Sequence, residues 1–238
     1  MEAKADRHLF DRRLHLTVAV VFAVLILFGF GRTYYFGGLF DAPPLPSPLA
    51  HVHAVLMTAW VALFVVQVRL IGRRAQGLHR RIGYTAIGLA TLIIVTGVPT
   101  AVRAAKYGSN AAPPDIPPLS FLAVPLFDLV MFALLFGGAI YYRRQPAAHK
   151  SLMLLTAVNF LPPALGRNDV FGLGPLWFLG VPVALALTCL WLEARHYGRL
   201  NRVFAAGVAL FAASYVVRLT IMGTETWLAF ASWLVSFV

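Results

Sequence analysis

FLAVPLFDLVMFALLFGGAIYY, residues 121–142, holds 22 residues of which only Asp128 is charged. A helix that crosses a hydrocarbon layer of about 30 Å needs about 20 mostly apolar residues. A spanning strand would show segments of roughly ten residues alternating in polarity. This run is continuous and long, so it reads as a membrane helix. Runs of the same kind recur along the chain. Of the 238 residues 60% are hydrophobic and 12% are charged, and the mean hydropathy is +0.77. Soluble domains carry about 25% charge. The expected fold is all-α: one integral membrane domain, 1–238, forming a polytopic transmembrane helix bundle. Lipid leaves every backbone polar group to be satisfied within helices.

Seven spans are expected, at 14–31, 49–71, 82–102, 118–142, 150–166, 174–193 and 203–221. A last apolar piece, 226–238, is too short to span comfortably. Trp227, Phe230, Trp233, Leu234 and Phe237 recur there at helical spacing, which fits an interfacial helix, with a short eighth span as the rival. The first apolar run lacks a small-residue cleavage pattern and is read as a retained helix.

The net charge is +11, but topology explains it better than nucleic acid does. The loops 1–13, 69–81, 143–150 and 193–202 hold 15 of the 20 Lys and Arg residues. The opposite side has Arg32, Arg103, Lys106, Arg167 and Arg218. Cations concentrate on the cytoplasmic side of membrane proteins. The expected location is the bacterial plasma membrane, multi-pass, with the N-terminus cytoplasmic. The opposite loops are Pro-rich, FDAPPLPSPLA (40–50) and SNAAPPDIPPLS (109–120); proline ends helices there.

An internal repeat joins two inner turns. RRAQGLHRR (73–81) and RRQPAAHKS (143–151) share Arg-Arg, four residues, His and a cation, at an offset of 70. Two copies of one hairpin are expected, with a weaker echo at EARHYGRLNR (193–202). Repeated hairpins in membranes often place a site at their interface. The repeat puts His79 and His149 at equivalent helix starts. Two imidazoles at one depth are candidates for axial ligation of haem b. The competing reading is that they and the neighbouring arginines reach lipid phosphates.

On the opposite side, His51 and His53 would point about 200° apart on a helix. His53 continues a stripe through Met57, Trp60, Phe64 and Gln67, so it is expected to face the bundle, with His51 at the interface. Asp128 lies about ten residues inside its span, roughly 15 Å deep. A carboxylate there is costly and calls for a partner. His53 and Asn159 are the expected partners, and Arg32, Tyr34 and Arg167 form the expected rim. This polar cluster suits a proton, a metal, a quinone or a lipid headgroup; equally it suits hydrogen bonds that lock the bundle. One His and one Asp fall short of the three or four ligands usual for zinc, so the metal stays unassigned. Pro162 and Pro163 are expected to break the helix near Asn159.

The segments HVHAVLMTAW (51–60), GLHRRIGY (77–84), FLAVPLFDLVMF (121–132) and AAHKSLMLLTAVNFLPP (147–163) resemble a widespread set of bacterial multi-pass membrane proteins of unassigned function, over about residues 20–235. The His-Arg and His-Lys helix starts are distantly similar to b-type cytochrome-like and oxidase-assembly membrane proteins. The resemblance implies haem at the His79–His149 pair. Three functions follow as expectations: a redox-associated membrane protein using haem or quinone, a small-solute or proton-coupled transporter working through Asp128 and His53, and an accessory subunit or assembly factor of a larger membrane complex. No phosphate-binding loop, Ser-His-Asp order, HExxH motif or clustered histidine box is present. The only cysteine, Cys189, lies in an apolar run and excludes an internal disulfide.

Overall fold

The computed structural model describes residues 2–42, 45, 47–108, 116–168, 170–174 and 176–238, with side chains from residue 9 onward. The Pro-rich stretches lie partly outside the described residues. Among the described residues the chain is helical throughout, without strands. Helix α1 (Glu2–Phe30) passes into a π turn, Gly31–Tyr35, and is followed by α2 (Pro48–Gly72). Helices α3 (Gln76–Gly83) and α4 (Thr85–Tyr107) make one span, as do α5 (Pro118–Phe121) and α6 (Ala123–Tyr141). Then come α7 (Pro146–Asn159), α8 (Leu161–Leu165), α9 (Val181–Tyr197), α10 (Arg202–Ile221) and α11 (Glu225–Val235).

Among the described residues six helical stretches are long and apolar enough to cross a membrane: Leu9–Tyr35, Pro48–Gly72, Gln76–Tyr107, Pro118–Tyr141, Leu176–Tyr197 and Arg202–Ile221. The protein is a multi-pass membrane protein. The expected fifth span, 150–166, is built differently, as α7 and α8 on either side of Phe160. Pro162 and Pro163 have no N–H, so the carbonyls of Val158 and Asn159 lose their helical donors and the helix cannot run through. Phe160 instead closes a tighter turn onto the carbonyl of Ala157, at 3.2 Å.

This interrupted helix is the centre of the bundle. Helix α7 packs against α1, α6, α9 and α10, and the nine residues from Leu154 to Pro162 are all buried. A helix buried on every side has no face for lipid. The longer helices surround it and turn large apolar residues outward, among them Val24, Leu27, Val95, Val130 and Val216. The stripe on α2 faces inward as its spacing predicts. Trp60, Phe64 and Gln67 are buried, and Trp60 packs edge-on against Phe132 and Phe136 at 4.9 and 5.4 Å. The C-terminal piece is an 11-residue helix. It is anchored by Trp227, whose indole N–H donates to the Leu119 carbonyl at 2.9 Å. Phe230, Trp233 and Phe237 remain exposed.

Helix α1 packs closely against α8 at Gly29. A Cβ placed on Gly29 would land on the Ala164 backbone, whereas one placed on Gly88 meets nothing within 4 Å. Small residues let membrane helices come this close. We expect Gly29→Ala to lower the thermal midpoint of the purified protein by an overpacking cost of about 1–3 kcal/mol. Gly88→Ala is expected to leave the midpoint unchanged, and equal behaviour of the two variants would refute the tight crossing.

Candidate functional site

The partner of Asp128 is Arg218. Its Nη1 donates to Asp128 Oδ1 at 2.6 Å, and both side chains are buried, with 0% and 4% of their surface exposed. Arg218 also donates from Nε to the Ser214 carbonyl at 3.2 Å and from Nη2 to the Ser214 hydroxyl at 3.1 Å. Its guanidinium lies over the Tyr215 ring, 4.5 Å from the centroid. A buried arginine is thus held by a carboxylate, a carbonyl, a hydroxyl and an aromatic face. Asn159 does reach Asp128, but at the backbone: its side-chain N–H donates to the Asp128 carbonyl at 2.9 Å. Three buried atoms near this pair, Asp128 Oδ2, Asn159 Oδ1 and the Tyr215 hydroxyl, have no hydrogen-bond partner.

From sequence, Arg218 counts only among the cations of the opposite side, three residues from the end of its span, and not as a partner of Asp128. The missed signal is directional. Side chains on a helix lean toward its N-terminus. Helix α10 starts on the N-terminal face of the bundle, so an arginine near its far end leans back into the membrane. Glu193, close to the end of α9, follows the same rule. It is buried and accepts from Ser151 at 3.1 Å and Asn201 at 3.0 Å.

The remaining members of the expected cluster do not converge on Asp128. His53 Nδ1 pairs with the Thr96 hydroxyl at 3.0 Å. Its ring fits beside Gly97, where a Cβ would come within 3.0 Å of both His53 and Leu129. Tyr34 packs against Tyr35 at 5.3 Å and against His51 at 6.1 Å. Arg32 is exposed, with its guanidinium 5.1 Å from the centre of the Phe40 ring. Arg167 acts as a cap: Nη1 donates to the Pro163 carbonyl at 2.6 Å, and the guanidinium stacks 4.2 Å over Phe30. Burial lowers the Arg167 pKa to about 10. Among the described residues no three His, Cys, Asp or Glu side chains gather as metal ligands.

At the N-terminal face the repeat is realised in the backbone. Helices α3 and α7 begin at Gln76 and Pro146, 70 residues apart. The His79 N–H donates to the Ala75 carbonyl at 2.9 Å, and the His149 N–H to the Gln145 carbonyl at 3.0 Å. The two imidazoles meet, with ring centroids 6.3 Å apart and planes at 82°. His149 Nδ1 lies 2.9 Å from the Ala139 carbonyl. A carbonyl only accepts, so Nδ1 carries a proton, and in the neutral ring the lone pair is at Nε2. His79 Nδ1 and both amide atoms of Gln67 are buried without partners. Gln67 borders α3 closely enough that a Cβ on Gly83 would lie 3.6 Å from its Nε2.

Removing one member of a buried ion pair strands the other charge and costs about 3–5 kcal/mol, whereas replacing both with apolar groups can be neutral. We expect Arg218→Met and Asp128→Leu each to destabilise the protein by about that amount. The double variant should recover most of the loss in thermal unfolding. A double variant as unstable as the single variants would show that the charges do not act as a pair. Comparison with family models, curated proteins and solved structures finds no match to this chain, so the two polar centres stand on their geometry alone.

Proposed function

We propose that the chain is a redox-associated protein of a bacterial plasma membrane, with its N-terminus cytoplasmic, in which His79 and His149 would hold haem b. The observation that carries this reading is the spacing of the two rings. At about 2.0–2.1 Å per metal–imidazole bond, two rings on one metal stand with centroids roughly 6 Å apart. The hydrogen bond from His149 Nδ1 to Ala139 adds support, because a ligating imidazole commonly donates its other N–H to a carbonyl, which fixes the tautomer and raises ligand basicity. Haem would supply one-electron chemistry. The chain's own part is to hold both rings at one depth, to fix the neutral His149 tautomer with its proton at Nδ1, and to offer the Gln67 amide nearby as a hydrogen-bonding group.

A second reading, a proton-coupled or small-solute transporter, draws on the other centre. Asp128 Oδ2, Asn159 Oδ1 and the Tyr215 hydroxyl offer two acceptors and one hydroxyl on three helices around a buried charge pair. Intramembrane ion pairs of this kind often mark proton or substrate paths. Here the carboxylate works with Arg218, and His53 belongs to a separate contact with Thr96.

Visible absorption of protein expressed with ample haem, oxidised and then reduced with dithionite, separates the two. The haem reading expects a Soret band with sharp reduced α and β bands. His79→Ala and His149→Ala should abolish it, and His51→Ala should leave it intact. A featureless spectrum from the unmodified protein would remove the haem assignment.

A further inference from the structure

Between α1 and α2, at the end of the bundle that carries the N-terminus, opens a cavity of about 420 Å³. Arg12, Arg69 and Arg73 line its mouth, and Leu16, Val20 and Val68 line it further in. Arg12, Leu16 and Val20 follow one another at four-residue steps, on one face of α1 and over about 12 Å of its length. Arg69 and Arg73 share a face of α2 by the same spacing. Gly72 lies beside Arg12 across the cavity: a Cβ there would be in ordinary contact, 3.5 Å, with Cγ and Nε of Arg12.

Among the described side chains the three guanidiniums have no counter-charge. Asp11, next to Arg12 in sequence, is taken by Lys150 at 2.6 Å. Glu193 is taken by Ser151 and Asn201. Among the described side chains none pairs with Arg12, Arg69 or Arg73. Three like charges around one cavity repel. An anion between them relieves that repulsion, and guanidinium forks match phosphate oxygens in pairs.

We propose that this cavity binds an anionic phospholipid, with the phosphodiester among Arg12, Arg69 and Arg73 and an acyl chain along Leu16, Val20 and Val68. The apolar floor distinguishes a lipid from a free phosphate, which would fill the mouth only. The absence of an acidic residue in the lining distinguishes an anionic headgroup from a zwitterionic one, whose own cation would meet only arginine. Basic pockets between membrane helices bind anionic headgroups by this combination.

The test is native mass spectrometry of delipidated, detergent-purified protein titrated with dioleoylphosphatidylglycerol or dioleoylphosphatidylcholine, with inorganic phosphate as competitor. We expect one phosphatidylglycerol site with about 100-fold preference over phosphatidylcholine, from three basic residues near the headgroup. The triple variant R12Q/R69Q/R73Q should lose the preference. Gly72→Phe should lose it too, since it keeps every charge and fills the cavity. R80Q/R81Q/R144Q, which removes as many charges from sites on the same face outside the cavity, should keep it. The proposal is overturned if the preference survives Gly72→Phe, if the control triple loses it equally, or if inorganic phosphate displaces the lipid at matched concentration.

Discussion

The bundle is organised around a helix that has no side left for lipid. Helix α7 is covered by α1, α6, α9 and α10, and the chain breaks beside it at Phe160. A break exposes backbone carbonyls, which a bilayer does not tolerate except inside protein. The central position and the break therefore require each other. The α8 end is closed by side chains of flanking segments. Arg167 donates to the Pro163 carbonyl, the Trp177 indole to the carbonyls of Leu165 and Asn168, and Asn168 to the end of α1 at the Phe28 carbonyl. An arginine expected at the rim of a ligand site is used to finish a helix.

Two polar centres lie on opposite halves of this scaffold and differ in kind. The Asp128–Arg218 pair is enclosed, with most of its hydrogen-bonding capacity spent on neighbours. It holds α6 to α10 through charge, and α7 joins through Asn159. The His79–His149 centre commits one His149 nitrogen to Ala139 and leaves His79 Nδ1 and the two Gln67 amide atoms without partners, as many as Asp128 Oδ2, Asn159 Oδ1 and the Tyr215 hydroxyl make at the other centre. Unspent polar groups in a buried place are the ones that a bound group can satisfy.

Much of this was legible in the sequence, and the exceptions share a cause. Composition and run length identify the helix bundle, because lipid imposes a length and a hydropathy on every span. The 70-residue offset anticipates that His79 and His149 occupy equivalent turns, and the stripe from Met57 to Gln67 identifies the buried face of α2. Position along a helix, however, says little about where a long side chain ends. Arg218 and Glu193 both lie near the far ends of their helices, and both lean back into the protein. Sequence spacing also cannot assign partners across helices. His53 and Asp128 are at comparable depth, yet Thr96 on α4 takes the histidine and α10 takes the carboxylate. The break near Asn159 was readable because proline acts locally, through its own missing N–H.

The central place of α7 also bears on biogenesis. The chain is made from the N-terminus, and Asp128 precedes Arg218 by 90 residues. When α6 first enters the membrane its counter-ion has not been synthesised, and when α7 follows, half of its eventual wrapping does not yet exist. The enclosure of α6 and α7 is complete only once α9 and α10, the later helices, have joined them.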